Sequence, residues 1–280
     1  MTGSAEPTVT AAPWPRLARR VSARVRRGRR RWQARRLERR LAGPQILRLF
    51  ADSYPEAFFV EIGANDGDQH DHLRPILAAN PWRGILVEPV PYVFERLRAN
   101  HGQRAGVALE NAAIADQDGR LPFYHLREAG DRAAAGLPQW YDGIGSFSKE
   151  AVLNHIGLVP GLTDRLTCVD VPCLTFASLC EKHGVDRVDL LIIDTEGYDH
   201  QILRHIDWSV HRPRLVVYEH YHLTPTQRAG LRTDLQGRGY ELKEEGFDTW
   251  CLHVGTDDAL TRGFRRLASA VPAASVHEER

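Results

Sequence analysis

Phe58-Phe59-Val60-Glu61-Ile62-Gly63-Ala64-Asn65-Asp66-Gly67 decides the fold. An apolar run carries an acid near its end and passes into a turn built on two glycines. Phe58 to Ile62 reads as a short buried strand. Gly63 and Gly67 permit positive φ and close backbone approach beyond it. The residues from about Gln69 to Ala79 suit a helix. Strand, glycine turn and helix is how an open parallel sheet presents a nucleotide-sized ligand at its carboxyl edge.

Gly84-Ile85-Leu86-Val87-Glu88-Pro89 extends the reading. It is a second buried strand that ends in an acid. Glu88 stands 21 residues beyond Gly67, about where a doubly wound fold places a carboxylate for a ribose diol. Two ordinary core strands would explain a lone glycine turn. The pairing of turn and acid favours the ligand site.

Further along, Pro91 to Asn100 reads as a helix and Val107 to Glu110 as a third strand, followed by Asn111-Ala112-Ala113-Ile114. Leu121 to Leu126 is a further strand after the Asp118-Gly119 turn. Residues 127 to 165 break the alternation and are expected to form a lid, an acceptor-binding segment or a surface loop. Leu166 to Leu174 is extended, and Thr175 caps a helix through His183. Two more strands end in acids, Val188 to Asp194 and Arg214 to His220, each followed by a helix (Tyr198 to Ile206, then Thr226 to Gly237 behind Thr224-Pro225). Tyr240–Lys243 and Thr249–Val254 form a terminal antiparallel pair. The pattern predicts an α/β chain with a mostly parallel, doubly wound sheet.

The chain has 280 residues and a net charge of +1. Residues 1 to 40 hold 13 arginines against Glu6 and Glu38, a net of +11, so the body carries about −10. Residues 1–42 are expected to be a basic extension, disordered over 1 to 13. From Trp14 to Leu41 it turns amphipathic, since Trp14, Leu17, Val21, Val25 and Trp32 follow helical spacing. Such a stripe suits an anionic membrane surface or a partner, or a solvated extension docked by its tryptophans. Nucleic acid is a poorer partner for so acidic a body. Gly43-Pro44 marks a break, the body runs over 43–256, and residues 257–280 read as a tail.

Cys168, Cys173, Cys180 and Cys251 make no CxxC pair or zinc spacing, which suits free thiols in a reducing compartment. No apolar run reaches the ~18 residues of a spanning helix, and no apolar h-region follows the arginines. The expected location is cytoplasmic, with peripheral attachment at the inner face of the membrane if the arginine segment binds lipid.

The segments VEIGANDGD, LVEPVPYVFERLRAN, NAAIAD, GIGSFSKE, LLIIDTEGYDHQIL and VVYEHYHL, in that order, resemble the FkbM family of S-adenosylmethionine-dependent methyltransferases. The resemblance spans roughly residues 56 to 254. It implies the Rossmann-like sheet of class I methyltransferases, in strand order 3-2-1-4-5-7-6 with the last strand antiparallel. It implies S-adenosylmethionine along the edge of strands one to three. Glu61, Gly63, Asn65 and Gly67 would lie at the methionine portion and ribose, Glu88 at the ribose hydroxyls, and Asn111 and Ala113 beside the adenine. Asn111 reads equally well as a strand-end turn residue.

The implied acceptor side lies at the ends of strands four and five, where Asp194, Glu196, Glu219, His220 and His222 cluster. If the acceptor is an alcohol, its proton must leave, and a histidine near neutrality can take it. His220 is the first candidate base, with Asp194 or Glu219 as alternatives or orienting groups. Asp194 and Glu196 also read as acids at a helix N-terminus. A divalent cation, Mg2+ or another, is a further expectation, with Asp194, Glu219 and His220 as candidate ligands. Ser146, Lys149 and His155 are candidate acceptor contacts. The activity expected is O-methylation of a sugar, glycolipid, polysaccharide or secondary metabolite. Two other readings compete: a nicotinamide-dependent oxidoreductase, although the turn lacks GxGxxG, and a non-catalytic binding module that keeps the fold.

Overall fold

The computed structural model describes residues 42–68 and 72–270. The expected disorder over 1–13 and the amphipathic stripe over 14–41 lie outside the described residues, as do Gln69 to Asp71 and the last ten residues. The elements in chain order are α1 (Ala42–Ser53), β1 (Phe58–Ile62), α2 (Arg74–Ala79), β2 (Arg83–Val87), α3 (Pro91–His101), β3 (Val107–Glu110), β4 (Ala113–Ile114) and β5 (Gly119–Leu126). A 3-10 turn (Gln139–Gly143) precedes β6 (Gly145–Ser146), α4 (Lys149–Leu153), α5 (Leu162–Arg165) and β7 (Leu166–Leu174). Then follow α6 (Phe176–Lys182), β8 (Leu190–Ile193), α7 (Asp199–His205), β9 (Leu215–Glu219), α8 (Pro225–Gly237), β10 (Tyr240–Glu245), β11 (Asp248–His253) and α9 (Ala259–Ala270).

Seven strands form the main sheet in the order β10-β11-β9-β8-β1-β2-β3. Numbered within this sheet alone, that is the expected order 3-2-1-4-5-7-6. β11 runs antiparallel to both its neighbours. The inner strands are apolar on both faces because both are covered. Val60, Ile85, Leu191 and Val216 face a core shared with α6, α7 and α8. Phe59, Leu86, Leu190, Val217 and Trp250 face a second core with α1, α2 and α9.

Gly43-Pro44 lies in the first turn of α1, at the start of the compact unit that begins at Ala42, where the body is expected to begin. A side chain at Gly43 would come within 2.4 Å of the Trp250 ring, so glycine lets the helix lie on that indole. The Glu245 carboxylate accepts the N–H groups of Ala42 and Gly43 at 2.9 and 2.7 Å, which satisfies donors that a helix start leaves unpaired. The residues from 257 are no tail up to Ala270. Leu260 and Phe264 of α9 are buried in the second core, and Arg214 holds the helix entrance through Asp258 at 2.6 Å. In α2, Pro75 lies in the opening turn, a position where its missing N–H costs nothing; the described helix therefore begins later than Gln69.

The segment that breaks the alternation belongs to a second sheet of four strands, β4-β7-β5-β6. β5 pairs with β7 along its whole length, so it does not extend the main sheet. Between them, residues 127–165 form a small core of their own from Leu137, Tyr141, Ile144, Val152, Val159 and Leu162. Asp142 is buried beneath it and is held by Arg96 at 2.7 Å, by Arg132 and by the Tyr92 hydroxyl. The insertion is thus fastened to α3 rather than free on the surface. Among the described residues, no helix is long and apolar enough to cross a membrane.

Candidate active site

Register places the acids. Asp248 pairs with Glu219 across β11 and β9, and Ile193 pairs with both Tyr218 and Ile62. One residue further, Glu88, Gly63, Asp194, Glu219 and Asp248 stand level across five strands. Residues in register point to the same face of a sheet. The sheet's carboxyl edge therefore carries a row of carboxylates with one notch, at Gly63.

The notch is forced. Gly63 has φ of +86°, and a Cβ there would lie 1.8 Å from the Asp194 carbonyl oxygen. The Gly63 and Ala64 N–H groups both donate to the Val87 carbonyl at 2.9 Å. Asn65 is also left-handed, φ 49°, and its N–H donates to Glu88 Oε2 at 3.0 Å. Val90 N–H donates to Glu88 Oε1 at 2.8 Å. Burial raises the pKa of Glu88 to about 7, against the lowering effect of these two N–H donors. Gly67 also serves packing: a side chain there would strike His101 and Leu97, and the His101 ring meets the Gly67 carbonyl at 2.8 Å. Glu61 is buried at the base of the same edge.

Asn111 turns its amide to the Glu88 and Pro89 carbonyls at 2.8 and 3.3 Å. That is the strand-end role, and it sets the Glu88 backbone. Ala113 is buried in β4, paired with Cys173.

At the ends of β8 and β9, Asp194 and Glu219 come together but His220 does not join them. Strand alternation turns it to the opposite face of β9, where its Nδ1 meets Thr249 Oγ1 at 2.9 Å. Burial, with Arg228 nearby, lowers its pKa. The period of two was visible in the sequence, because Tyr218 and His220 share one face and Glu219 the other. His222 takes the place: its Nε2 lies 2.7 Å from Glu196 Oε2 and 3.8 Å from Glu219 Oε2. Glu196 reaches it from a left-handed backbone, φ 52°. Asp194 is exposed, whereas Glu88 and Glu219 are buried and Asp248 is half-buried. Burial, then the charges of Asp194, Glu196, Asp199 and Asp248, drives the Glu219 pKa far above the carboxylate range.

Asp199 is a residue the sequence reading missed. It is fully buried and accepts from Thr195 Oγ1 at 2.7 Å and from Glu219 N–H at 3.1 Å. It ties the β8 turn to β9, and burial raises its pKa to about 6. Its signal was its place in the first turn of α7, behind Glu196-Gly197.

The insertion reaches both halves of the edge. A side chain on Gly143 would come within 3.2 Å of Asn65 Nδ2. Phe147 packs edge-on against Tyr198, with centroids 4.8 Å apart. The His155 and His222 rings are 5.7 Å apart. Ser148 caps α4 by accepting from Ala151 N–H. Of the three expected contacts, Ser146 is buried and Lys149 exposed, and His155 is the one grouped with Glu196 and His222. The donor atoms of His155, Glu196 and His222 lie within 4.8 Å of one another. The metal-ligand geometry thus falls on this trio rather than on Asp194, Glu219 and His220.

The family model of the methyltransferase FkbM domain matches residues 61–246. The chain belongs to the FkbM methyltransferase family. The 2-O-methyltransferase NoeI of Sinorhizobium fredii (strain NBRC 101917 / NGR234) is 26% identical over 151 residues, 53% of this FkbM chain. The match spans 57% of that protein's length. The crystal structure of methyltransferase FkbM from Methylobacillus flagellatus KT aligns over 70% of this chain and 44% of its own, at 13% identity and a TM-score of 0.44. The METTL16 MTase domain aligns over 70% of this chain and 58% of its own, at 13% identity and a TM-score of 0.36.

The FkbM edge suits S-adenosylmethionine on two observations. Gly63 lets the turn after β1 pack against the Asp194 carbonyl, where any side chain would collide, so the edge there is lined by backbone alone. The carboxylates on either side of it, Glu88 and Asp194, complement a cationic ligand. Each Glu88 oxygen takes one backbone N–H and retains a lone pair for a hydroxyl donor.

Proposed function

We propose that the chain is an S-adenosylmethionine-dependent O-methyltransferase acting on a hydroxyl of a sugar, glycolipid, polysaccharide or secondary metabolite. One observation carries the reading. A notch and ribose-type acid at β1 and β2 share an edge with an acid and imidazole cluster at β8 and β9, and one insertion touches both. The 2-O-methyltransferase named among the relatives supports an oxygen acceptor.

S-adenosylmethionine supplies an electrophilic methyl carbon when bound. The chain's part is to hold that carbon in line with an acceptor oxygen, which is where most of the rate is gained. The Gly63–Gly67 turn and Glu88 fix the donor. Asp194 is the exposed acid of the row and adjoins Gly63, so it would take the acceptor hydroxyl's proton as the methyl group passes from sulfur to oxygen. Glu219 and Asp199 hold the β8 and β9 ends at fixed separation. His220 takes no part, since it faces α8.

The test is calorimetric titration of the purified chain with S-adenosylmethionine, beside methyl transfer from labelled donor to a panel of hydroxylated glycans. The expected result is saturable binding that Glu88→Ala abolishes. Asp194→Asn should weaken binding only modestly, by the one charge it removes, but transfer at least about 100-fold more slowly at saturating donor. Saturable NAD binding without S-adenosylmethionine binding would replace this reading with the oxidoreductase one.

A further inference from the structure

We propose that His155, Glu196 and His222 hold a divalent metal ion of the borderline class, zinc above all, with the buried Glu219 carboxylate as a fourth donor. The site joins the insertion to the ends of β8 and β9. Its role in catalysis rests on the reading of that edge as the acceptor side; the binding itself does not.

Three observations converge. First, the three donor atoms lie within 4.8 Å of one another. Donors about 2.0–2.2 Å from one ion sit roughly 3–4 Å apart, so small side-chain rotations close the site. Second, Glu219 Oε2 has no hydrogen-bond partner among the described residues. Its side chain is only 4% exposed, and that oxygen lies 3.8 Å from His222 Nε2. A buried acceptor left without a donor is costly, and an ion between it and His222 would satisfy it. The carboxylates of Asp194, Glu196, Asp199 and Asp248 surround it, which favours a bound positive charge. Third, the two ligands that come from turns are fixed from behind. Glu196 is held at φ 52°, a strained conformation for a residue with a side chain. His155 is buried, and its Nδ1 faces the Val152 carbonyl at 3.4 Å, which leaves Nε2 to carry the lone pair. A ligating imidazole commonly has such a partner behind it.

The donor set chooses the metal. Two imidazoles with carboxylates suit zinc better than magnesium, calcium or manganese(II), which favour oxygen donors. Four protein donors complete a tetrahedral shell, so an acceptor hydroxyl would reach the ion by displacing Glu219 or as a fifth ligand, and the ion would then lower its pKa.

The experiment uses the full chain stripped by dialysis against a chelator, titrated with cobalt(II) and read by visible absorption. Zinc, manganese and magnesium chlorides are compared by calorimetry. The expected result is one equivalent of cobalt with a ligand-field band that zinc displaces, and magnesium at least about tenfold weaker. His222→Ala and Glu196→Gln should each weaken binding at least about tenfold. His205→Ala, an exposed histidine on α7, should leave it unchanged. S-adenosylmethionine binding, measured in chelator, reports folding in every variant. Normal donor binding with no stoichiometric cobalt band overturns the metal site and leaves the methyltransferase reading intact. Metal binding unchanged in both ligand variants also overturns it. Cobalt binding without donor binding supports the site while removing the donor reading.

Discussion

Glu88 shows how one residue carries opposite demands. Its pKa in the folded chain is raised to about 7 from an ordinary 4.5, first by burial. Donor hydroxyls need the carboxylate form. Affinity for S-adenosylmethionine should therefore rise as pH passes upward through about 7. Stability runs the other way: the contribution of a raised acid is fully present below 4.5 and is lost as pH rises through 7. Glu88→Gln should flatten both profiles, by calorimetry and by thermal melting at a series of pH values. A donor affinity in the native chain that ignores pH between about 6 and 8 would remove Glu88 from the ribose site. Glu88 was legible in sequence from its distance to the glycine turn. The exclusion of His220 was legible in principle, because strand period alone sends it to the far face. The trio of His155, Glu196 and His222 was not, since His155 arrives from an insertion whose path no local pattern fixes.

At the scale of elements, the parallel strands of the main sheet were readable because each is a short, mostly apolar run bounded by glycine, proline or an acid. Their order came from the family resemblance. The assignment of β5 and β7 to a separate sheet was hidden, since pairing partners far apart in sequence leave no mark on local periodicity. α9 was hidden differently. Leu260, Phe264 and Leu267 follow helical spacing, but Arg262, Gly263, Arg265 and Arg266 dilute the signal. Its burial makes a prediction. Phe264 is 1% exposed and packs in the core with α1, so Phe264→Ala should cost about 3–5 kcal/mol in denaturant unfolding. A loss under about 1 kcal/mol would mean that the helix adds little to the body.

Across the body as a whole, the insertion links the β1–β2 and β8–β9 halves of the edge, the proposed donor and acceptor sides. Phe147 sits between Phe123 of the second sheet and Tyr198 before α7, at 5.2 and 4.8 Å between centroids. Phe147→Ala should leave donor affinity unchanged while turnover falls about 10- to 100-fold, the scale of a small misplacement of reacting groups. Steady-state kinetics beside calorimetry separates the two, and equal turnover would show that the insertion does not position the acceptor. The row of carboxylates has a consequence for the catalytic cycle. In the proposed reaction a sulfonium enters and a neutral thioether leaves, so the attraction that draws the donor in is reduced once the methyl group has gone. An edge of this charge discriminates spent donor from fresh by electrostatics alone, which relieves product inhibition and makes that relief weaken as ionic strength rises.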